Sequence, residues 1–184
     1  MTKKLNTIIF LYKLDFLSEV DVSFQSPVPD AVSLDRAFAV NWYADGWIDC
    51  WNSNRPERVR EIVTEDFVLD SPTTRHTGWR VQGHEATVAY VKYVLTAYPD
   101  LQWQVTAPPM FADGIARVGY FWNGTGHFSG RIDPPGVEGT GRPFEFAGIE
   151  VFEFRGDRAC RLYATYDLIG LMKQVGLYKG VTAR

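Results

Sequence analysis

From Ala37 to Trp51 the apolar residues Ala37, Val40, Ala44, Trp47 and Trp51 recur at alternating spacings of three and four, which predicts a helix with one inward stripe. Ser33 stands before it as the expected N-cap. At ~100° per residue Asn41 projects within about 40° of the stripe, so its amide is aimed at backbone partners or at a ligand. Trp42 falls on the far side and is expected to meet a sheet or a partner subunit. A shorter helix is predicted from Pro56 to about Val63, with Pro56 at its first position. A short strand from Phe67 follows, and Asp70 at its end either initiates the turn before Ser71-Pro72 or faces a pocket. Thr73 to Val81 reads as a loop. The next helix spans His84 to Tyr98, with Val88, Val91, Leu95 and Tyr98 on its apolar face. His84 lies on that side too, as a helix-start packing residue or a secondary candidate for the site.

From Leu101 the period drops to two, with Leu101, Trp103, Val105 and Ala107 alternating against Gln102, Gln104 and Thr106. Ala112-Asp113-Gly114 supplies a turn into a long strand, Ile115 to Phe128. Asn123 and His127 share one face of that strand unless a bulge at Gly124 or Gly126 breaks the alternation. Ser129 to Arg142 is a Gly/Pro-rich loop of the length that often covers a binding site. Pro143 to Arg155 and Arg158 to Asp167 then form two strands joined at Gly156-Asp157. In the last one Arg161, Tyr163, Thr165 and Asp167 share a face, opposite Cys160, Leu162, Ala164 and Tyr166. It runs straight into an apolar helix, Leu168 to Val175, closed by Gly176.

Helices first and an antiparallel meander afterwards predict an α+β fold, with three to four helices packed on one face of a sheet. Strands apolar on both faces suggest that a second copy covers the outer side. At the end of the last strand, Asp167 has two readings. Walled by aromatic rings under an apolar helix, it would have a raised pKa and serve as a general acid/base. As the cap of the following helix it would accept from the first amides and have a lowered one.

Composition narrows the chemistry. With 184 residues, 46% hydrophobic and 15% aromatic, the chain can bury one good core, and its length favours one domain. A net charge of -3 leaves no basic footprint for nucleic acid, and no apolar run reaches the ~18 to 20 residues of a membrane span. Cys50 and Cys160 form neither a disulfide framework nor a metal-ligand spacing, and two thiols suit a reducing, cytoplasmic setting. Residues 1–32, with Lys3-Lys4, a short apolar run and the extended Ser26-Pro27-Val28-Pro29-Asp30, are expected to be a poorly ordered extension. The domain then covers 33–178 and a tail 179–184. Motifs for nucleophilic, zinc or dinucleotide chemistry are missing from the sequence, so neither metal nor cofactor is expected. What remains is an aromatic cavity with a few polar groups, enough for proton transfer.

The run Tyr163-Ala164-Thr165-Tyr166-Asp167-Leu168-Ile169-Gly170-Leu171-Met172-Lys173-Gln174-Val175-Gly176 resembles the C-terminal signature of the SnoaL-like polyketide cyclases, or ester cyclases, of the nuclear transport factor two-like superfamily. Glu65-Asp66-Phe67-Val68, Tyr98-Pro99-Asp100-Leu101, Gly124-Thr125-Gly126-His127, Thr140-Gly141-Arg142-Pro143 and Gly148-Ile149-Glu150-Val151-Phe152 stand upstream in matching order, so the resemblance covers about Leu34 to Leu177. It implies a cone-shaped, curved, mostly antiparallel sheet with the helices on its concave face, and a homodimer. It also implies that Asp167 is the acid/base that removes a proton alpha to a carbonyl for an intramolecular aldol closure. His127 carries over with a one-residue shift, since this chain has Gly-Thr-Gly-His where many relatives have Gly-Thr-His. Asn41, Asn123, Tyr163 and His127 are then the expected donors around the substrate, with His84 and Asp70 nearby. The expected partner is a small apolar carbonyl compound. Two alternatives stand beside this reading: a non-enzymatic binding or dimerising module of the same fold, and an epoxide hydrolase, which Arg131-Ile132-Asp133 with Asp167 superficially resembles.

Overall fold

The computed structural model describes residues 34–178, so the expected extension, the Ser33 cap and the tail lie outside the described residues. Asp35 caps α1 (Arg36–Asn41) by accepting from the Phe38 N–H at 2.7 Å. The helix continues through a π-helical segment (Trp42–Ile48) into α2 (Asp49–Asn52). Its wider turn, closed by i→i+5 bonds, changes which residues align. Ala39, Tyr43, Trp47 and Trp51, spaced by four, form the buried row, whereas Val40 is 45% exposed and Ala37, Asn41 and Ala44 face outward. The expected stripe is therefore correct at Trp47 and Trp51 and out of phase before them. Trp42 is buried and meets the sheet, its ring edge-on to Phe152 and Phe154.

A 3-10 turn (Pro56–Arg58) and α3 (Val59–Ile62) lead into β1 (Val63–Asp70). The segment expected to be a loop after it holds a helix, α4 (Pro72–Thr77). Ser71 and Thr74 make it, because the Ser71 hydroxyl accepts from the Thr74 N–H at 3.2 Å while Thr74 Oγ1 accepts from the Ser71 N–H at 2.8 Å. Gly78, at φ 71°, ends it in the left-handed region. β2 (Val81–Gln82) and α5 (Gly83–Ala97) follow, the latter one residue from its predicted span at either end.

The remaining strands are β3 (Gln102–Val105), β4 (Met110–Phe111), β5 (Arg117–His127), β6 (Arg131–Ile132), β7 (Val137–Glu138), β8 (Pro143–Arg155) and β9 (Arg158–Tyr166), before α6 (Leu168–Gln174). The main sheet has the order β2-β1-β9-β8-β5-β3, with β4 also on β5, and is antiparallel except for β1 against β9. The architecture is thus α+β, a curled, mostly antiparallel sheet around helices. β6 and β7 pair as a separate hairpin inside the expected covering loop.

Pairing of β5 with β8 runs unbroken from Arg117 opposite Glu153 to His127 opposite Pro143, so no bulge interrupts the alternation at Gly124 or Gly126. Even-numbered residues of β5 and β8 face the helices. There Tyr43 stacks on Tyr120 at 3.9 Å, and Trp47 lies edge-on to Phe152 at 5.2 Å. Such pairs add about 0.5–1.5 kcal/mol each beyond the area they bury.

Candidate active site

Between the inner sheet face and the helices lies a cavity of about 370 Å³. Its floor is aromatic: Phe144 and Phe146 of β8, Trp122 of β5, Trp103 of β3 and Tyr166 of β9. Trp47, Trp51 and α5 residues Tyr90, Tyr93 and Val94 form the walls, and Leu168, Leu171 and Met172 of α6 close one end. The β6–β7 hairpin contributes Ile132, Pro135 and Val137, so the Gly/Pro-rich segment does line the cavity.

Among the described residues one carboxylate faces this apolar space. The inward residues of β8 are Phe144, Phe146, Gly148, Glu150, Phe152 and Phe154, so the strand alternation turns Glu150 into the cavity. It is 8% exposed. The Tyr43 hydroxyl donates to its Oε2 at 2.7 Å and the Trp47 indole N–H donates to the same oxygen at 3.0 Å. Among the described residues no hydrogen bond reaches Oε1, which leaves that oxygen to the cavity. Burial pushes the Glu150 carboxyl up from 4.5 to about 7, although the two donors pull the other way. Burial, then the charge of Glu150, raise the Tyr43 hydroxyl well above its ordinary value, so Tyr43 stays a donor. A carboxyl that titrates near neutrality with one free oxygen in a dry pocket can take and return a proton.

A second polar patch sits at the α4 end. Tyr166 Oη and Thr73 Oγ1 are 2.6 Å apart, and Tyr90 Oη and Ser71 Oγ 3.2 Å apart, all four residues lining the cavity. Burial raises the Tyr90 hydroxyl well above its ordinary value, keeping it protonated. Among the described residues no cluster of three or more His, Cys, Asp or Glu is placed to hold a metal, and no helix is long and apolar enough to cross a membrane.

The SnoaL-like polyketide cyclase family matches residues 42–175, most of the chain. The chain belongs to that family. TsrD from Streptomyces laurentii superposes with a TM-score of 0.65 at 20% identity, over 79% of this chain and 100% of its own. IdmH, a candidate polyketide cyclase from Streptomyces antibioticus, gives 0.58 at 23% identity, over 72% of this chain and 95% of its own. A Catenulispora acidiphila protein with a ketosteroid isomerase-like fold gives 0.59 at 16% identity, over 73% and 92%. These likenesses speak for the fold. Among curated proteins none matches the chain.

In this SnoaL-like chain the residues singled out from the sequence lie elsewhere than the cavity wall. Asp167 is exposed and caps α6, its Oδ1 accepting from the Gly170 N–H at 2.8 Å. His127 is exposed on the outer parity of β5, with Nδ1 2.7 Å from Asp100 Oδ2. Asn123 donates to Glu145 Oε1 at 2.9 Å on the same outer face, and Tyr163 is 50% exposed under the Arg75 guanidinium. Asn41 faces outward, Asp70 pairs with Arg75 at 2.6 Å, and His84 Nε2 lies 3.0 Å from the Val63 carbonyl. Arg131 and Asp133 pair with each other inside the β6–β7 hairpin, exposed. Alternation grouped Asn123 with His127 and Tyr163 with Asp167 correctly, and the face they share on each strand is the outer one. Glu150 stood within the matched run Gly148 to Phe152 without a role. Its signal was present, a single carboxylate at alternate positions with Phe144, Phe146, Gly148, Phe152 and Phe154.

Proposed function

We propose that the chain is a cofactor-independent cyclase or isomerase in which Glu150 is the general acid/base, acting on a flat, apolar carbonyl compound. The observation that carries this is the Glu150 carboxylate, buried among aromatic rings with its Oε2 held by Tyr43 and Trp47 and its Oε1 open to the cavity. Family membership supports cyclase-like chemistry. Glu150 removes a proton alpha to the carbonyl; the enolate attacks a second carbonyl of the same molecule, closing a carbon–carbon bond; and the new alkoxide takes that proton back from the Glu150 carboxylic acid, which restores the carboxylate. Tyr43 and Trp47 position the carboxylate, and the apolar walls exclude water that would otherwise protonate the enolate. Asp167 then serves the site by starting α6, which closes one end of the cavity. The half-buried Phe121, Ile149 and Val151 with the exposed Tyr163 on the outer sheet face support a homodimer through that face.

The test is hydrogen–deuterium exchange at the alpha carbon of 1-tetralone in D2O, followed by NMR. The wild-type protein should accelerate exchange and Glu150→Gln should lose about 100-fold or more of that acceleration, the scale of a removed general base. Exchange as fast in Glu150→Gln as in wild type sinks the assignment.

A further inference from the structure

Trp103 and Trp122 stand side by side on the cavity floor with ring centroids 4.3 Å apart and planes at 89°. Each fills space left by a glycine on the neighbouring strand. Trp103 is opposite Gly124, where a Cβ would come 3.0 Å from Trp103 Cζ3, and Trp122 is opposite Gly148, where a Cβ would come 2.4 Å from Trp122 Cζ2. The sheet thus omits two side chains to seat two indoles.

Among the described residues neither indole N–H has a partner, and both nitrogens are buried. The contrast lies within the same wall, where Trp47 donates to Glu150 at 3.0 Å, and behind it, where Trp42 donates to the Ile62 carbonyl at 3.1 Å. An indole nitrogen can only donate, and a buried donor without an acceptor is among the costlier features of a folded chain. Strand register puts this pair beside the base. Tyr120 is opposite Glu150, and Trp122 is opposite Gly148, the next inward position along β8.

We infer that Trp103 and Trp122 form the oxygen-recognition end of the cavity, donating to a carbonyl oxygen borne on the edge of a flat aromatic ligand. The inference rests on reading the cavity as the substrate site. A carbonyl oxygen held there turns its neighbouring carbon toward the Glu150 row, and the ring system lies over Phe144 and Phe146. The class selected is a polycyclic aromatic ketone, and a hydrocarbon of the same outline gains burial alone.

Fluorenone and fluorene, a ketone and its hydrocarbon counterpart, are titrated into wild type, Trp103→Phe and Trp122→Phe, each variant keeping an aromatic ring without the N–H. Wild type should bind fluorenone about tenfold tighter than fluorene, and each variant should lose about 3- to 10-fold for fluorenone with fluorene unchanged. In wild type, fluorenone and not fluorene should also move two of the six indole N–H NMR signals, a measurement independent of how the variants fold. Equal or absent binding of the two compounds, a loss shared equally by both, or unmoved indole signals overturns the inference. Glu150→Gln separates the two readings. If it abolishes proton exchange while the fluorenone preference is absent, the oxygen site fails alone; if the preference holds while exchange survives Glu150→Gln, the base assignment fails alone.

Discussion

Replacing Glu150 by Gln should change the pH dependence of stability by an amount the structure sets. Burial among aromatic rings raises the carboxyl from 4.5 to about 7 in the folded chain. Because the folded state holds this proton more tightly than the unfolded one, Glu150 costs no stability below pH 4.5, where both states are protonated. As pH rises from 4.5 to about 7 the unfolded chain gains by ionising first, and stability falls. At about 1.4 kcal/mol per pH unit the full loss is about 3 kcal/mol, reached above the folded value. Gln has the same outline, accepts from Tyr43 and Trp47 through its amide oxygen, and does not titrate. Urea denaturation of wild type and Glu150→Gln at pH ~4.5, ~6 and ~8 isolates the effect, since every other group titrates alike in both proteins. The variant should gain about 3 kcal/mol on wild type between the lowest and highest pH. A stability difference that stays constant across that range refutes the desolvated carboxylate and with it the proposed base.

The proton-exchange activity should rise with pH through about 7, as the basic form of Glu150 appears, and then level off; Tyr43→Phe removes a hydrogen bond that favours the carboxylate, so the midpoint of that profile should move upward. Asp167→Ala should lower stability by about 1 kcal/mol through loss of the α6 cap, read by urea denaturation, while fluorenone affinity stays within about twofold; an exchange loss as deep as that of Glu150→Gln would return the catalytic role to Asp167. Gly148→Ala should cost about 1–3 kcal/mol, because its methyl would lie 2.4 Å from Trp122 Cζ2 and 2.6 Å from the Thr165 carbonyl oxygen; stability equal to wild type would show the ring free to move. Sedimentation of the wild-type chain should give a dimer and Ile149→Lys on the outer sheet face a monomer, and a monomeric wild type rejects the proposed interface.

Element order, the α+β class and the alternation within each strand were legible from the sequence, because the periods of two and 3.6 are local properties of the backbone. Membership of a cyclase family was legible too, from short runs in a fixed order. Local pattern failed where a non-local or unusual backbone intervened. The π-helical turns of Trp42–Ile48 moved the first half of the helical stripe, and the reciprocal Ser71–Thr74 bonds made a helix where turn-forming residues suggested a loop. For the site the missing quantity was a direction. Alternation says that Asp167 and Tyr163 lie opposite Leu162 and Ala164, but it does not say which side of the sheet the helices cover. That depends on where the whole row of large aromatic side chains is buried, since Phe144, Phe146, Phe152 and Phe154 leave water together. The closing of the sheet over those rings put the polar face of the last strand outside and left Glu150, the one carboxylate in the aromatic row, facing the cavity.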